Sequence, residues 1–232
     1  MRALAVEGVW KFYGDYPALR DIGFDVQPGQ CVALLGRNGA GKTTLLRILA
    51  GLSRPSKGAV KVFDKDHLDR SARSAIGIIG HGIGIYDELS ALENLRLFAG
   101  LYGLQSPDKA AHQWLERTGL ERVKDGLVRE FSRGMRQRLA VARAFLHRPQ
   151  LLLLDEPFTA LDDRAIALLQ SLLKESLAQG STVIMSTHQL REALELATHV
   201  VLINRGKLAH TGLRTQEMLD DPTYLYRTYG EA

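Results

Sequence analysis

Residues 3–9 and 18–26 alternate between apolar and polar positions and are bounded by Gly14 and by Pro28-Gly29. A period of two turns one face of a strand inward and the other outward, so both segments read as half-buried, antiparallel strands. Cys31-Val32-Ala33-Leu34-Leu35 is continuously apolar instead, the pattern of a strand covered on both faces. A helix is expected next, with Leu45, Leu46, Leu49 and Ala50 at helical spacing and a stop near Gly51. Short strands are expected over 58–63 and 76–79.

The pattern then changes. Ser90-Ala91-Leu92-Glu93 has the form of a capping box, and behind it Leu92, Leu95, Ala99 and Tyr102 recur at helical spacing. Helices are expected over 107–118 and 134–147, so that residues 85–148 form a helical block. After Pro149 the elements alternate: strand 151–155, helix 163–179, strand 182–187, helix 190–197, then strands 199–204 and 207–211. Alternation of continuous apolar strands with helices predicts an α/β fold with a parallel sheet, interrupted by a helical insertion. The chain is therefore expected to be one domain, 1–232. Its α/β core would comprise 1–84 and 149–232, and the helical subdomain 85–148. No internal repeat or low-complexity linker breaks this pattern.

Composition adds bounds. At 232 residues and 45% hydrophobic content the chain can bury a sizeable core. The net charge of +4 is a mild basic excess that an ordinary solvated surface accounts for; it also suits a phosphate ligand or an anionic membrane nearby. No run approaches the roughly 18 apolar residues that span a bilayer, and the N-terminus lacks the apolar core of a signal peptide. The single cysteine, Cys31, sits in an apolar run as a small core residue. These features predict a cytosolic chain whose membrane role, if it has one, comes through a partner.

The candidate chemistry begins where the first continuous apolar strand ends. Gly36-Arg37-Asn38-Gly39-Ala40-Gly41-Lys42-Thr43 has P-loop spacing, followed by Thr44. Glycines let backbone N–H groups curl around a polyphosphate, and the helix starting near Lys42 points its positive end at the same phosphates. Lys42 supplies a full charge toward the β- and γ-phosphates, and the Thr43 hydroxyl is a ligand for Mg²⁺. Downstream, Leu151-Leu152-Leu153-Leu154-Asp155-Glu156 is a buried strand ending in two acids. Ligands of α/β sheets sit at the carboxyl ends of strands, so Asp155 is placed to hold Mg²⁺ and Glu156 to polarise an attacking water. Alone, the pair would be only a strand ending in a polar turn at Pro157; beside a P-loop it is a candidate site.

With these motifs in this order the chain resembles the ATP-binding subunits of ABC transporters. Phe131-Ser132-Arg133-Gly134-Met135 resembles the family's Leu-Ser-Gly-Gly-Gln signature, Ala160-Leu161-Asp162 its D-loop, and His188 its switch histidine. The resemblance implies a P-loop NTPase (RecA-like) core with an antiparallel β subdomain and an inserted α-helical subdomain. It implies ATP and Mg²⁺ as cofactors, and a head-to-tail dimer in which Ser132, Gly134 and Asp162 of one copy complete the P-loop site of the other. On residues alone, Ser132 is a plain helix cap. The resemblance makes His188 a γ-phosphate contact and Tyr13 the aromatic that stacks on adenine, with Phe12 and Tyr16 as close competitors.

Two departures narrow the resemblance. Where the family has a glutamine after the strand at 76–79, this chain has Gly80-His81. His81 is either a working member of the site or a loop histidine facing the partner. Gly80-His81 followed by Glu88-Leu89-Ser90-Ala91-Leu92-Glu93-Asn94-Leu95 is similar to the ATPase subunit of the haem-export system of cytochrome c maturation. The signature carries Arg133 and Met135 but keeps Gly134. The resemblance thus implies an ATP-hydrolysing subunit peripheral to the cytoplasmic face of the inner membrane, docked on integral-membrane transporter subunits and acting in haem export. Haem itself is expected on those partners, because no axial-ligand motif is present, and no nucleic acid is expected. The alternatives are an exporter of another cargo, or a soluble ABC ATPase without a transport role.

Overall fold

The computed structural model describes residues 1–80, 84–159 and 161–229. The two kinds of strand seen in the sequence build two different sheets. β1 (Leu4–Tyr13) and β2 (Tyr16–Val26) are the alternating segments, paired antiparallel from Tyr13 opposite Tyr16 to Leu4 opposite Val26. Both extend further toward the Gly14-Asp15 turn than the alternation implied. Register shifts between Val6 and Phe12 put successive residues out of phase, which hides the strand from a period-two pattern. β3 (Cys31–Leu35) is buried at every position, and α1 (Lys42–Leu49) follows it. β4 (Lys57–Val62) pairs with β1, and β5 (Lys65–Asp66) with β4, giving a four-stranded sheet of order β2-β1-β4-β5. β5 and α2 (Arg70–Arg73), which precedes β6 (Ile76–Ile79), are too short to show any periodicity.

Three helices follow: α3 (Ala91–Leu101), α4 (Pro107–Arg117) and α5 (Arg133–Phe145). Between β6 and the next strand no other strand is found among the described residues. The capping box at α3 forms: the Ser90 hydroxyl accepts the Glu93 N–H at 3.2 Å, and the Glu93 carboxylate accepts the Ser90 N–H at 2.7 Å. Leu92, Leu95, Ala111, Leu115 and Leu139 close a core belonging to these helices.

The remaining elements are β7 (Leu151–Asp155), α6 (Asp163–Ala178), β8 (Thr182–Ser186), α7 (Leu190–Leu196), β9 (His199–Asn204), β10 (Lys207–Leu213), α8 (Gln216–Asp220) and α9 (Tyr224–Tyr229). α8 and α9 lie beyond the last element expected from the sequence. The second sheet has the order β10-β9-β3-β8-β7-β6, parallel except for β10 at one edge. Its continuous apolar strands divide residue by residue between two cores. Val32, Leu34, Leu151 and Leu153 face α1 and the antiparallel sheet, whereas Cys31, Ala33, Leu35, Leu152 and Leu154 face the other way. Burial pushes the Cys31 thiol up to about 12, so it is an inert core group.

The helical layer is stitched to β6. A Cβ on Gly77 would lie 2.4 Å from the Ala144 carbonyl oxygen, so α5 approaches the strand as closely as backbone allows. Arg143 donates to the Ile78 carbonyl at 2.6 Å. His147 stacks on Tyr102 with ring centroids 3.7 Å apart, and its Nε2 lies 3.1 Å from the Ile76 carbonyl oxygen.

Burial lowers the His147 imidazole from its ordinary 6.5 to about 4. The folded chain therefore keeps it neutral while the unfolded chain takes up a proton first as the pH falls. Stability contributed by the neutral ring is full above pH 6.5 and is lost between pH 6.5 and about 4. The thermal midpoint should fall over this window, and His147→Phe should flatten that fall; an unchanged slope in the variant would rule out the coupling.

Candidate functional site

The carboxyl end of β3 runs directly into the glycine loop. Gly36, Gly39 and Gly41 have φ of 153°, 80° and 108°, which side-chain-bearing residues rarely adopt. Space forbids a side chain as well: a Cβ on Gly36 would sit 2.4 Å from the Ile203 carbonyl oxygen, and one on Gly41 2.7 Å from Leu19 Cδ2. The loop wraps a lysine. Lys42 is 7% exposed and its ammonium donates to the carbonyl oxygens of Gly36 at 2.8 Å and Arg37 at 3.4 Å. Burial pulls this ammonium below the usual lysine range, and the Glu156 and Asp155 carboxylates act in the opposite direction. α1 has Gly41 at its N-cap with no side-chain cap, so its first N–H groups face outward to receive an anion.

Backbone register brings the acids to this loop. β7 and β8 pair in parallel with Asp155 opposite Ser186, and β8 pairs with β3 with Ser186 opposite Leu34. The Ser186 hydroxyl donates to Asp155 Oδ1 at 2.5 Å, which holds the buried carboxylate in one orientation. Asp155 and Thr43 are the carboxylate and hydroxyl residues on the lining of one small cavity of about 20 Å³, which is otherwise mostly apolar, with Leu46, Ala50, Ile78 and Leu153 among its walls. A hydroxyl and a carboxylate oxygen are hard donors, the set Mg²⁺ takes together with phosphate oxygens and waters.

Glu156 follows with φ of 52°, an unusual conformation for a non-glycine residue and a sharp exit from the strand. Its N–H donates to the Ser186 carbonyl at 2.9 Å. Its carboxylate accepts the His188 N–H at 3.2 Å and lies 2.7 Å from His188 Nδ1. Asp155 and Glu156 also line a cavity of about 420 Å³, with Gly80 and Gly84 on one side and Arg133, the first residue of α5, on another. Lys42, Thr43, Asp155, Glu156 and His188 thus converge within one chain, alongside Asn38 and Ala40 of the loop and Thr44 of the first turn of α1.

Other expected residues stand differently. The Ser132 hydroxyl accepts the Met135 N–H at 3.2 Å, and Asp162 Oδ1 accepts the Ala165 N–H at 2.8 Å. Within one chain both act as helix caps, and Gly134 lies in the first turn of α5. Tyr13 and Tyr16 face each other across the β1–β2 turn, 54% and 63% exposed, with Lys11 Nζ 5.3 Å from the Tyr13 ring centre. Phe12 stacks on Trp10, which leaves Tyr13, with Lys11 over its ring, and Tyr16 as the rings of that turn outside an aromatic stack. His81 and Ala160 lie outside the described residues.

Three contacts at the site have no counterpart in the motifs. Ser186 follows from strand register alone and could have been found by aligning the ends of the expected strands. Gln137 donates from α5 to the Pro157 carbonyl at 3.1 Å, bracing the turn after Glu156. Tyr226 of α9 accepts the Gly36 N–H at 3.0 Å, from a segment whose sequence carries no signal for it.

A glycine loop wrapped around a lysine at a helix N-terminus, facing two acids across neighbouring strand ends, defines an α/β P-loop protein built to handle nucleotide phosphates. The family profile described as ABC transporter matches residues 19–159. The chain is 39% identical over 221 residues to the Nod factor export ATP-binding protein I of Cupriavidus metallidurans, covering 94% of this chain and 73% of that protein. It is also similar to the solved structure of an ABC transporter ATP-binding subunit, with a TM-score of 0.86 at 32% identity over 99% of this chain and 95% of the other. A dimeric ATP-binding cassette in a post-hydrolysis state, bound to ADP and Pi, matches with a TM-score of 0.80 at 26% identity over 91% and 99%. The chain belongs to the ABC transporter family, as one of its ATP-binding, ATP-hydrolysing subunits.

Proposed function

We propose that this chain powers export by closing head-to-tail with a second copy over two ATP molecules, and that its cargo system is haem export for c-type cytochrome biogenesis. The observation that carries the ATPase part is the convergence of Lys42, Asp155, Glu156 and His188 at the ends of β3, β7 and β8. In this reading the loop N–H groups of Gly39, Gly41 and their neighbours cradle the phosphates and Lys42 neutralises the β/γ region. Thr43 and Asp155 hold Mg²⁺, which supplies charge neutralisation on the phosphate oxygens. Glu156 polarises the attacking water, oriented by its contact with His188, which reaches the γ-phosphate. Tyr13 stacks on adenine. Residues 1–84 and 149–232 form the catalytic core, and 85–148 the helical subdomain that presents the signature.

The dimer explains why Ser132 and Asp162 end as helix caps within one chain, with Gly134 in the turn behind Ser132: the ligand contacts of all three would be made across the pair. The dimeric form of the similar cassette supports this. No helix among the described residues is long and apolar enough to cross a membrane. Membrane-spanning partners would carry the cargo, with this chain docked at the cytoplasmic face, and His81 would serve either in the nucleotide site or at that contact. The haem assignment rests on the Gly80-His81 and 88–95 segments. The identity to a Nod factor export protein supports an exporter equally well with another cargo.

Glu156→Gln should retain ATP binding while turnover falls by about 10²- to 10⁴-fold, the usual weight of a positioned general base. Near-normal turnover would remove Glu156 from that role. Ser132→Arg should abolish hydrolysis with nucleotide binding by the monomer intact; loss of both together would point to misfolding instead. Purification of the tagged chain from membranes should retrieve integral-membrane subunits whose loss stops c-type cytochrome assembly. Partners that export another cargo would overturn the haem assignment alone.

A further inference from the structure

The C-terminal helix α9 is held at three places. Leu225 is fully buried in the core that includes Leu35 and Leu202. Tyr229 stacks on His210 of β10 with centroids 4.3 Å apart. At its start, Asp221 accepts the Thr223 N–H at 3.0 Å and the Thr223 hydroxyl at 2.6 Å, and pairs with Arg227 at 3.1 Å. A six-residue helix is marginal on its own, so these anchors fix its position.

From that position Tyr226 reaches the root of the phosphate loop. Its hydroxyl accepts the Gly36 N–H at 3.0 Å, while the Gly36 carbonyl accepts the Lys42 ammonium at 2.8 Å. The Ile203 carbonyl blocks the third side of Gly36. One residue, Gly36, is thereby tied to the C-terminal helix through its N–H and to the phosphate-binding lysine through its carbonyl, so both peptide groups that flank its Cα are held. Tyr226 and Thr223 also line a cavity of about 420 Å³ together with Gly36, Arg37, Asn38 and His188.

We propose that Tyr226 is a positioning residue for the phosphate loop, and that α9 is a strap setting the affinity of the site for ATP. The proposal rests on the ATP-site reading above. Glycine at 36 has no side chain to resist rotation, so the Tyr226 hydroxyl helps to hold the Gly36 N–H, together with the Lys42 bond to its carbonyl, in one orientation. Without that hydroxyl the loop has to be ordered when ATP binds, a cost borne by substrate and transition state alike, so the loss appears in KM rather than kcat.

The test compares wild type, Tyr226→Phe and Lys42→Ala as full-length chains. MgATP binding is titrated, steady-state hydrolysis is measured, and thermal midpoints are recorded without nucleotide. Tyr226→Phe keeps the ring and removes only the hydroxyl. It should raise the MgATP Kd and KM by about threefold to tenfold, at most the weight of one hydrogen bond, with kcat unchanged and the nucleotide-free midpoint lowered by no more than about 2–4 °C. Unchanged Kd and KM, a fall in kcat as large as the rise in KM, or a midpoint lowered by about 10 °C or more would overturn the positioning role. Lys42→Ala should lose MgATP binding. If it binds as wild type does, the ATP-site reading itself fails, a result distinct from a silent Tyr226→Phe beside a non-binding Lys42→Ala.

Discussion

The shared register of three parallel strands is the constraint on which the rest of the site depends. β8 lies between β3 and β7, with Ser186 opposite both Leu34 and Asp155. Ladder hydrogen bonds therefore bring the end of β3, where the glycine loop starts, level with the acids that end β7. A slip of one residue would turn Asp155 to the opposite face of the sheet and break its 2.5 Å contact with Ser186. Burial on both faces is what prevents the slip. Each strand sends alternate apolar residues into two separate cores, and exchanging them would mismatch both at once.

Once the register is set, local chemistry completes the site. Three glycines in conformations that other residues rarely adopt let the loop fold back on Lys42, whose ammonium donates to two loop carbonyls. The left-handed turn at Glu156 lifts its carboxylate out of the strand toward His188. The helical layer touches the same place from the other side. Gln137 braces the Pro157 carbonyl, and Arg143 holds the Ile78 carbonyl at the end of β6. A helix carrying a signature motif and a sheet carrying the acids thus meet through a few hydrogen bonds beside a 420 Å³ cleft.

Much of this was legible from residue order. Continuous apolar runs marked β3, β7 and β8 nearly to the residue, because strands buried on both faces tolerate little else. Segments that were missed had physical reasons to be silent: β5 and α2 have two and four residues, and β1 carries register shifts that break its alternation. α8 and α9 are five and six residues long and take their stability from docking rather than from helical propensity.

The chain's own order therefore determined the α/β class, the glycine loop with Lys42 and Thr43, and the acids Asp155 and Glu156. Those features are contiguous, and their backbone demands are written into neighbouring residues. Only the tertiary structure decided which distant groups meet them: Ser186 on Asp155, His188 on Glu156, and Tyr226 on Gly36. These pairs are separated by 31, 32 and 190 residues. Contacts at such separations depend on strand order, register and the return path of the chain, which no local spacing records.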